Sequence, residues 1–259
     1  MLALTALHDR HLASPNSRQT DIELYHASRT AAIFNKKLRE PLKADDRDPM
    51  WVTAALLGVA AVCWVDASCV EEAWPLTPPK PTDLDWIRLS KSKSAIWQLT
   101  DPLREGGRFR PMVGEFQSQY MAVQLLEDTV GFEGLPSGLT SLCEIDEQST
   151  PHTNPYFLPL QAIAVMESIE YSSENILAVL LFLRHITGPF QTLLKKRDPR
   201  ALLLLAYWYA QVLNACWWIE RRSALECKAI CLYLEKYHAD KPRVLELLLF
   251  PKMRCGLAD

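Results

Sequence analysis

The stretch from Asp198 to Tyr237 constrains the fold more than any other part of the chain. It reads DPRALLLLAYWYAQVLNACWWIERRSALECKAICLYLEKY, in which four consecutive leucines lead into a run of aromatic residues. A segment that is apolar on nearly every side must be buried on nearly every side. We therefore expect a central helical hairpin with its corner at Trp217-Trp218. Ser223 and Glu226 have the spacing of a capping box, which predicts a returning arm from Ser223 to Tyr237.

The spacing of apolar residues also predicts helices in the remainder of the chain. Between Ile22 and Leu38, apolar residues recur every three or four positions at Leu24, Ala27, Ala31, Phe34 and Leu38, and no segment alternates as a strand would. The pattern predicts an all-α fold, a multi-helix domain of antiparallel helical hairpins, with one domain over residues 1–259. Residues 131–155 are rich in Gly, Ser, Thr, Asn and Pro, and they predict a long internal loop.

One uncharged apolar segment, Met50–Val65, is the only membrane candidate. Its 16 residues fall short of the roughly 20 that a spanning helix needs. Thr53 and Gly58 interrupt it and Asp66 ends it, so a buried core helix is the better interpretation and no membrane span is expected.

Charge and cysteine content narrow the class of protein. A net charge of −3 and a pI near 6.1 argue against autonomous nucleic-acid binding, which relies on a basic surface. Seven scattered cysteines without a secretory leader indicate a reduced, intracellular protein. The opening residues, MLALTALHDRHL, are typical of the middle of a helix, and we expect the chain to be a part or a truncated relative of a longer protein.

The acidic sequence Asp45-Asp46-Arg47-Asp48 resembles the magnesium-diphosphate motif of all-helical terpene synthases. Such a site needs carboxylates one turn apart on a helix, so that two of them can bridge Mg²⁺. Because Pro49 follows directly, a turn at a helix start is the better interpretation.

Two other pairs have the spacing of metal ligands. His8 and His11 lie three positions apart between charged residues, and no third ligand is identifiable, which favours a solvated face. Cys227 and Cys231 share a helix face, but a structural zinc site usually needs two such pairs, so small buried hydrophobic residues are the default. We therefore predict neither catalytic residues nor metal ligands, and the chain is not expected to be an enzyme.

The order of features in the hairpin resembles the C-terminal regulatory domain of fungal zinc binuclear cluster Zn(2)-Cys(6) transcription factors, of the sterol uptake control protein type. The features that carry the resemblance are Asp198-Pro199, the helix Ala201–Ala210, Trp217-Trp218, Arg221-Arg222 and Glu226. A second segment, Glu71–Arg104, agrees through Asp83–Trp86, Trp97 and Pro102–Arg104, and the opening LALTALH resembles the first helix of that domain. The resemblance thus covers nearly the whole chain.

The resemblance implies regulation of transcription by RNA polymerase II. The chain would be the ligand-sensing or activation-control domain of a regulator of sterol metabolism or of a secondary-metabolite gene cluster. It would be located in the nucleus or shuttle between nucleus and cytoplasm. The six-cysteine DNA-binding cluster of the family is absent from this sequence, so we expect no direct DNA binding and no cofactor, zinc included, in these residues. Whether that cluster was lost or lies upstream stays open.

A sterol-like hydrophobic molecule is the ligand that the resemblance implies, with transcription co-regulators as further partners and a homodimer left open. We place the candidate pocket between the helix at Ile176–Leu183 and the helix at Leu204–Val212. Its candidate lining is Phe182, Trp208, Tyr209 and Trp218, although these side chains could simply fill the core. Two alternatives remain: a terpene-synthase-like enzyme that uses Asp45, Asp46 and Asp48, and an interaction scaffold without a ligand.

Overall fold

The structure, a computed structural model, describes residues 2–13, 17–130, 132, 135–136, 138–169 and 180–258. These residues form helices joined by turns, and no strand occurs among them. The all-α prediction is therefore confirmed.

The α-helices are numbered in chain order. They are α1 (Leu2–Ala13), α2 (Asp21–Leu38), α3 (Arg47–Cys63), α4 (Asp85–Thr100), α5 (Val113–Val130), α6 (Leu139–Leu142), α7 (Phe157–Glu167), α8 (Leu181–His185), α9 (Gly188–Lys195), α10 (Pro199–Val212), α11 (Trp217–Tyr237), α12 (Pro242–Leu247) and α13 (Leu249–Cys255). Short 3-10 turns occupy Ala44–Asp46, Val70–Glu72 and Arg110–Met112.

The chain divides into two compact units. The first unit comprises Met1–Ser68 and Pro81–Ser118, and the second comprises Cys69–Lys80 and Gln119–Asp259. The expectation of a single domain over residues 1–259 stays a prediction, and each unit is described by itself.

The first unit is centred on the packing of α3 against α4. Gly58 allows the two backbones to approach closely, since a Cβ atom at that position would lie 3.6 Å from the Cα of Ser90. Trp51 and Trp97 meet edge to face, with ring centroids 4.7 Å apart. Small residues on α3 therefore position two helices whose larger side chains interlock beside them.

Helix α3 accounts for the apolar segment Met50–Val65. Met50, Ala54 and Gly58 are buried, as expected of a core helix, and the helix ends at Cys63. Within the described part of the chain, no helix has both the length and the apolar character needed to cross a bilayer.

A buried ion pair decides which face of α2 turns inward. Glu23 is 1% exposed, and its Oε1 accepts a hydrogen bond of 2.8 Å from Arg10 Nε on α1. Leu24 and Leu38, which the apolar spacing places inward, are exposed instead. The periodicity located the helix correctly and Ala27 is buried as it predicts, but the buried face also includes Glu23 through its pair with Arg10.

Helix α10 is the core of the second unit. Every residue from Ala201 to Val212 is buried. The Asp198 carboxylate caps the helix by accepting hydrogen bonds of 3.0 Å from the backbone N–H groups of Arg200 and Ala201. Pro199 occupies the first helical position, where a missing N–H costs nothing. The Asp-Pro pair therefore starts the buried helix.

The returning helix begins earlier than its sequence predicts. Helix α11 starts at Trp217, so Ser223 lies inside it and the predicted capping box is wrong. The Ser223 hydroxyl donates to the carbonyl oxygens of Ile219 and Glu220 instead. The corner consists of residues 213–216, immediately before the two tryptophans. Tyr209 contacts Glu226 and Ala206 contacts Cys227, so α10 packs against the middle of α11.

The predicted loop at 131–155 contains one short helix, α6, among turns, where the structure describes it. Leu139 and Cys143 are buried. The side-chain amide of Asn154 donates to the carbonyl oxygens of Cys143, at 2.9 Å, and Glu144, at 3.2 Å. The asparagine bridge thus joins the two ends of this segment's described part, and two of its side chains are buried.

The sequence from Lys241 to Phe250 predicts one short last helix that Pro251 ends. It forms two helices, α12 and α13, and Pro251 lies in the first turn of α13. Proline is tolerated there because the first N–H groups of a helix have no partner within the helix. The chain therefore continues helically to Cys255.

Candidate functional site

Three of the four predicted ligand-binding residues lie together in the core of the second unit. The rings of Phe182 on α8 and Trp208 on α10 are stacked, with centroids 5.4 Å apart and planes 10° from parallel. The ring of Tyr209 lies 5.1 Å from that of Trp208. All three side chains are fully buried, and we call them the aromatic cluster.

Trp218 is placed differently from the aromatic cluster. It is the second residue of α11 and is only partly buried. Glu226, the α11 residue that contacts Tyr209, lies two turns further along, about 12 Å at 1.5 Å per residue. The sequence predicted a helix at Ile176–Leu183 on one side of the pocket. Residues 176–179 lie outside the described residues, and residues 181–183 are helical and buried.

A polar group adjoins the aromatic cluster. The hydroxyl of Tyr209 donates a hydrogen bond of 2.5 Å to Glu226 Oε2, and the guanidinium of Arg222 pairs with Glu226 Oε1. Arg222 and Glu226 are each 4% exposed. Both carboxylate oxygens therefore have a partner, and we call Tyr209, Arg222 and Glu226 the polar triad.

Burial decides the protonation of the phenol. Loss of solvent raises the pKa of Tyr209 well above its usual range, and the negative charge of Glu226 raises it further. Tyr209 therefore keeps its proton and acts as a hydrogen-bond donor. The polar triad is a permanent donor–acceptor arrangement inside an apolar environment.

Sequence reasoning assigned Glu226 to a capping box and Arg222 to a turn, so it missed the polar triad. The spacing of Arg222 and Glu226, four positions apart on one helix, was a detectable signal for an ion pair. Tyr209 could not be added from sequence, because it lies on the preceding helix.

The aspartates of the alternative enzyme site are engaged by basic side chains. Asp46 pairs with Lys37 at 3.2 Å. Asp48 accepts a hydrogen bond of 2.7 Å from Arg104 Nη1 and one of 3.1 Å from the backbone N–H of Arg108. The Arg104 hydrogen bond holds the pKa of Asp48 below its usual range.

Asp45 is exposed, and the three acids do not form a group of possible metal ligands in the part of the chain that the structure describes. The sequence placed these acids in a turn, and Ala44–Asp46 is a 3-10 turn at the start of α3.

His8 and His11 stack on α1, with ring centroids 6.3 Å apart. Among the described residues they do not belong to a group of three possible metal ligands. Both residues are partly buried, whereas their sequence context favoured a solvated face.

A third cysteine joins the pair that the sequence singled out. The Sγ atoms of Cys227, Cys231 and Cys255 all lie within 4.8 Å of one another, and all three residues are buried. Hydrogen bonds from Cys227 and then Cys231 lower the pKa of Cys255. We call these residues the thiol cluster. Sequence reasoning missed Cys255 because α12 and most of α13 separate it from α11, so that only packing brings it close.

Comparisons with models of protein families, with curated proteins and with solved structures find no significant match to this chain.

Proposed function

We propose that this chain regulates transcription by RNA polymerase II as the ligand-sensing or activation-control domain of a fungal zinc-cluster transcription factor. Its ligand would be a sterol-like hydrophobic molecule. Its targets would be genes of sterol metabolism or of a secondary-metabolite cluster, and its location would be the nucleus, with shuttling to the cytoplasm.

The observation that carries this proposal is that Tyr209 belongs to both the aromatic cluster and the polar triad. Sites for hydrophobic small molecules combine apolar and aromatic walls with a few polar groups that orient the ligand. Phe182 and Trp208 are such a wall, and Tyr209 connects it to Glu226 and Arg222. A sterol is complementary to these groups, because it has a rigid apolar ring system and one hydroxyl group.

The energetics of the polar triad also support a functional role. A buried ion pair is weak support for stability, since apolar residues of similar volume often serve as well. Buried titratable groups with specific charge partners are more frequent at functional sites than elsewhere. The ligand would insert along Phe182 and Trp208 and exchange hydrogen bonds with Tyr209 and Glu226. Binding would then shift the population between repressed and active states.

The direct test is titration of the purified chain with a fluorescent sterol, read by energy transfer from tryptophan. We expect saturable binding that unlabelled sterol displaces. Trp208→Phe and Tyr209→Phe should each weaken binding by about tenfold, the equivalent of one lost hydrogen bond or ring contact. Trp97→Phe, in the first unit, is the matched control and should bind as the wild type does. Absence of saturable binding would contradict the proposal.

A second experiment tests the output of the domain. The chain is fused to an unrelated DNA-binding domain in fungal cells, and reporter transcription is followed with and without sterol depletion. We expect a sterol-dependent change that Tyr209→Phe abolishes. Reporter activity that is independent of sterol would favour the scaffold, and magnesium-dependent turnover of a prenyl diphosphate would favour the terpene-synthase-like enzyme.

A further inference from the structure

We propose that the thiol cluster, Cys227, Cys231 and Cys255, is a binding site for a soft monovalent metal ion, Cu(I), held by three sulfur ligands. This site is separate from the aromatic cluster, and the proposal does not depend on the role in transcription.

The geometry of the three sulfur atoms suits a three-coordinate ion. Metal–sulfur bonds of about 2.3 Å at angles of about 120° require sulfur atoms about 4 Å apart. The Sγ atoms lie within 4.8 Å of one another, so shifts of about 1 Å or less would complete the site. Side-chain rotations can produce shifts of this size.

The number and type of ligands select the metal. Thiolates are soft ligands that favour Cu(I), zinc and iron–sulfur clusters. Structural zinc is almost always four-coordinate, and iron–sulfur clusters usually take four cysteines. Among the described residues the group contains three ligands, without a further Cys, His, Asp or Glu. Three sulfur atoms in a buried position therefore fit Cu(I) better than either alternative.

The thiols are only weakly engaged within the protein. The Cys227 thiol donates to the carbonyl oxygen of Ala206 at 3.5 Å and lies 3.9 Å from that of Pro251. The Cys255 thiol donates to the Lys252 carbonyl oxygen at 3.6 Å. Thiols are weak donors, so binding a metal would sacrifice little hydrogen-bond energy. The thiol protons would pass to solvent as the metal binds.

Nearby charges and surface access complete the site. Lys228 and Lys252 exert positive potential on the thiols, which would offset the excess negative charge of three thiolates around one Cu(I). Glu235 opposes them but is itself paired with Lys252 at 2.5 Å. Cys255 retains 6% exposure in the last turn of α13, beside the exposed residues Arg254 and Gly256, where an ion could enter.

A bound ion would join α13 to α11. Cys227 and Cys231 belong to α11 and Cys255 to α13, so the metal would cross-link two helices that pack together. Binding to the folded state alone stabilises it in proportion to the logarithm of the metal concentration.

The test is anaerobic titration of the reduced full chain with Cu(I) against a competing Cu(I) chelator. We expect one Cu(I) per chain. Cys231→Ser and Cys255→Ser should each weaken binding by more than the roughly 100-fold that loss of an outer-shell partner costs. Cys143→Ser, a change at a buried cysteine outside the thiol cluster, should leave the affinity unchanged.

X-ray absorption of the wild-type complex makes the test independent of whether the variants fold. Three sulfur ligands to one copper, together with a higher unfolding temperature on loading, are the expected results. Two-sulfur coordination, an unchanged affinity in Cys255→Ser, or tighter binding of Zn(II) with four ligands would each overturn the proposal. Copper that binds without a defined sulfur shell would also overturn it, as adventitious binding.

Discussion

Tyr209 on α10 donates a hydrogen bond of 2.5 Å to Glu226 Oε2 on α11, and this bond joins buried side chains of two helices of the second unit. Because Arg222 holds the other carboxylate oxygen, a phenol, a carboxylate and a guanidinium share one buried position. The ring of Tyr209 therefore lies beside a buried ion pair, and the first two predictions follow from this arrangement.

Glu226→Leu is expected to destabilise the chain by about 3 kcal/mol, because it removes the carboxylate that pairs with the buried guanidinium of Arg222. The double variant Arg222→Met/Glu226→Leu should be more stable than the single variant, since it removes both charges. Urea unfolding followed by circular dichroism measures both. The control is Arg243→Ala, which breaks an exposed pair with Glu246 and should cost less than about 0.5 kcal/mol. A double variant less stable than Glu226→Leu would contradict this account.

Alkaline pH should destabilise the chain through Tyr209. The pKa of this phenol is raised in the folded state, so the stability it contributes is complete below about pH 10 and is lost as the pH rises further. One such phenol accounts for a loss of up to about 1.4 kcal/mol per pH unit. In urea unfolding between pH 8 and pH 11, Tyr209→Phe should therefore show a shallower decline than the wild type. Tyr25→Phe, at a position 60% exposed, should decline as the wild type does.

Acidic pH should act through Asp48 in the first unit. Its pKa is lowered in the folded state, first by the hydrogen bond from Arg104, so its stabilising contribution is present above about pH 4 and is lost as the pH falls. Asp48→Asn should cost about 1 kcal/mol near neutral pH and progressively less toward pH 2. Thermal unfolding across this range is the measurement. Asp45→Asn is the control at an exposed neighbour, and an equal effect of the two changes would contradict the assignment.

The two tryptophans of the predicted site should differ in their contribution to stability. Trp208 is fully buried against Phe182, so Trp208→Ala should cost about 4 kcal/mol through lost packing and the cavity left behind. Trp218 is partly exposed, so Trp218→Ala should cost about half as much or less. Urea unfolding of the two variants gives the comparison, and equal losses would show that Trp218 contributes to the core as Trp208 does.

Much of the fold could be predicted from local patterns. The run from Asp198 to Val212 predicted a wholly buried helix, and in the structure Asp198 and Pro199 form its first turn through capping and a fixed φ. The capping-box prediction was wrong because the same polar residue, Glu226, can either cap a helix or form a buried ion pair. Ser223 and Glu226 have the spacing of a capping box, but the carboxylate of Glu226 pairs with Arg222 and Tyr209. Once the carboxylate is buried, leaving it without a partner would cost more free energy than a helix cap contributes.

The candidate sites were harder to predict than the helices, because they depend on how the helices pack together. From sequence, Trp208, Tyr209 and Phe182 could be proposed as neighbours because each lies in a strongly apolar helix. The placement of Glu226 beside Tyr209, and of Trp218 about two turns away, followed only from the register of α10 against α11. Register is set by the summed shape of many side chains, which no local pattern expresses.

Local patterns were enough to predict a helical chain and its central helix, because apolar periodicity is expressed within a few residues. No local pattern predicted that Cys255 lies beside Cys227 and Cys231, or that Glu23 rather than Leu24 is buried on α2. Those outcomes depend on contacts between residues on different helices. The physical reason is that the free energy of burying a thiol or a carboxylate depends on the partners that packing supplies, and those partners are not neighbours in the chain.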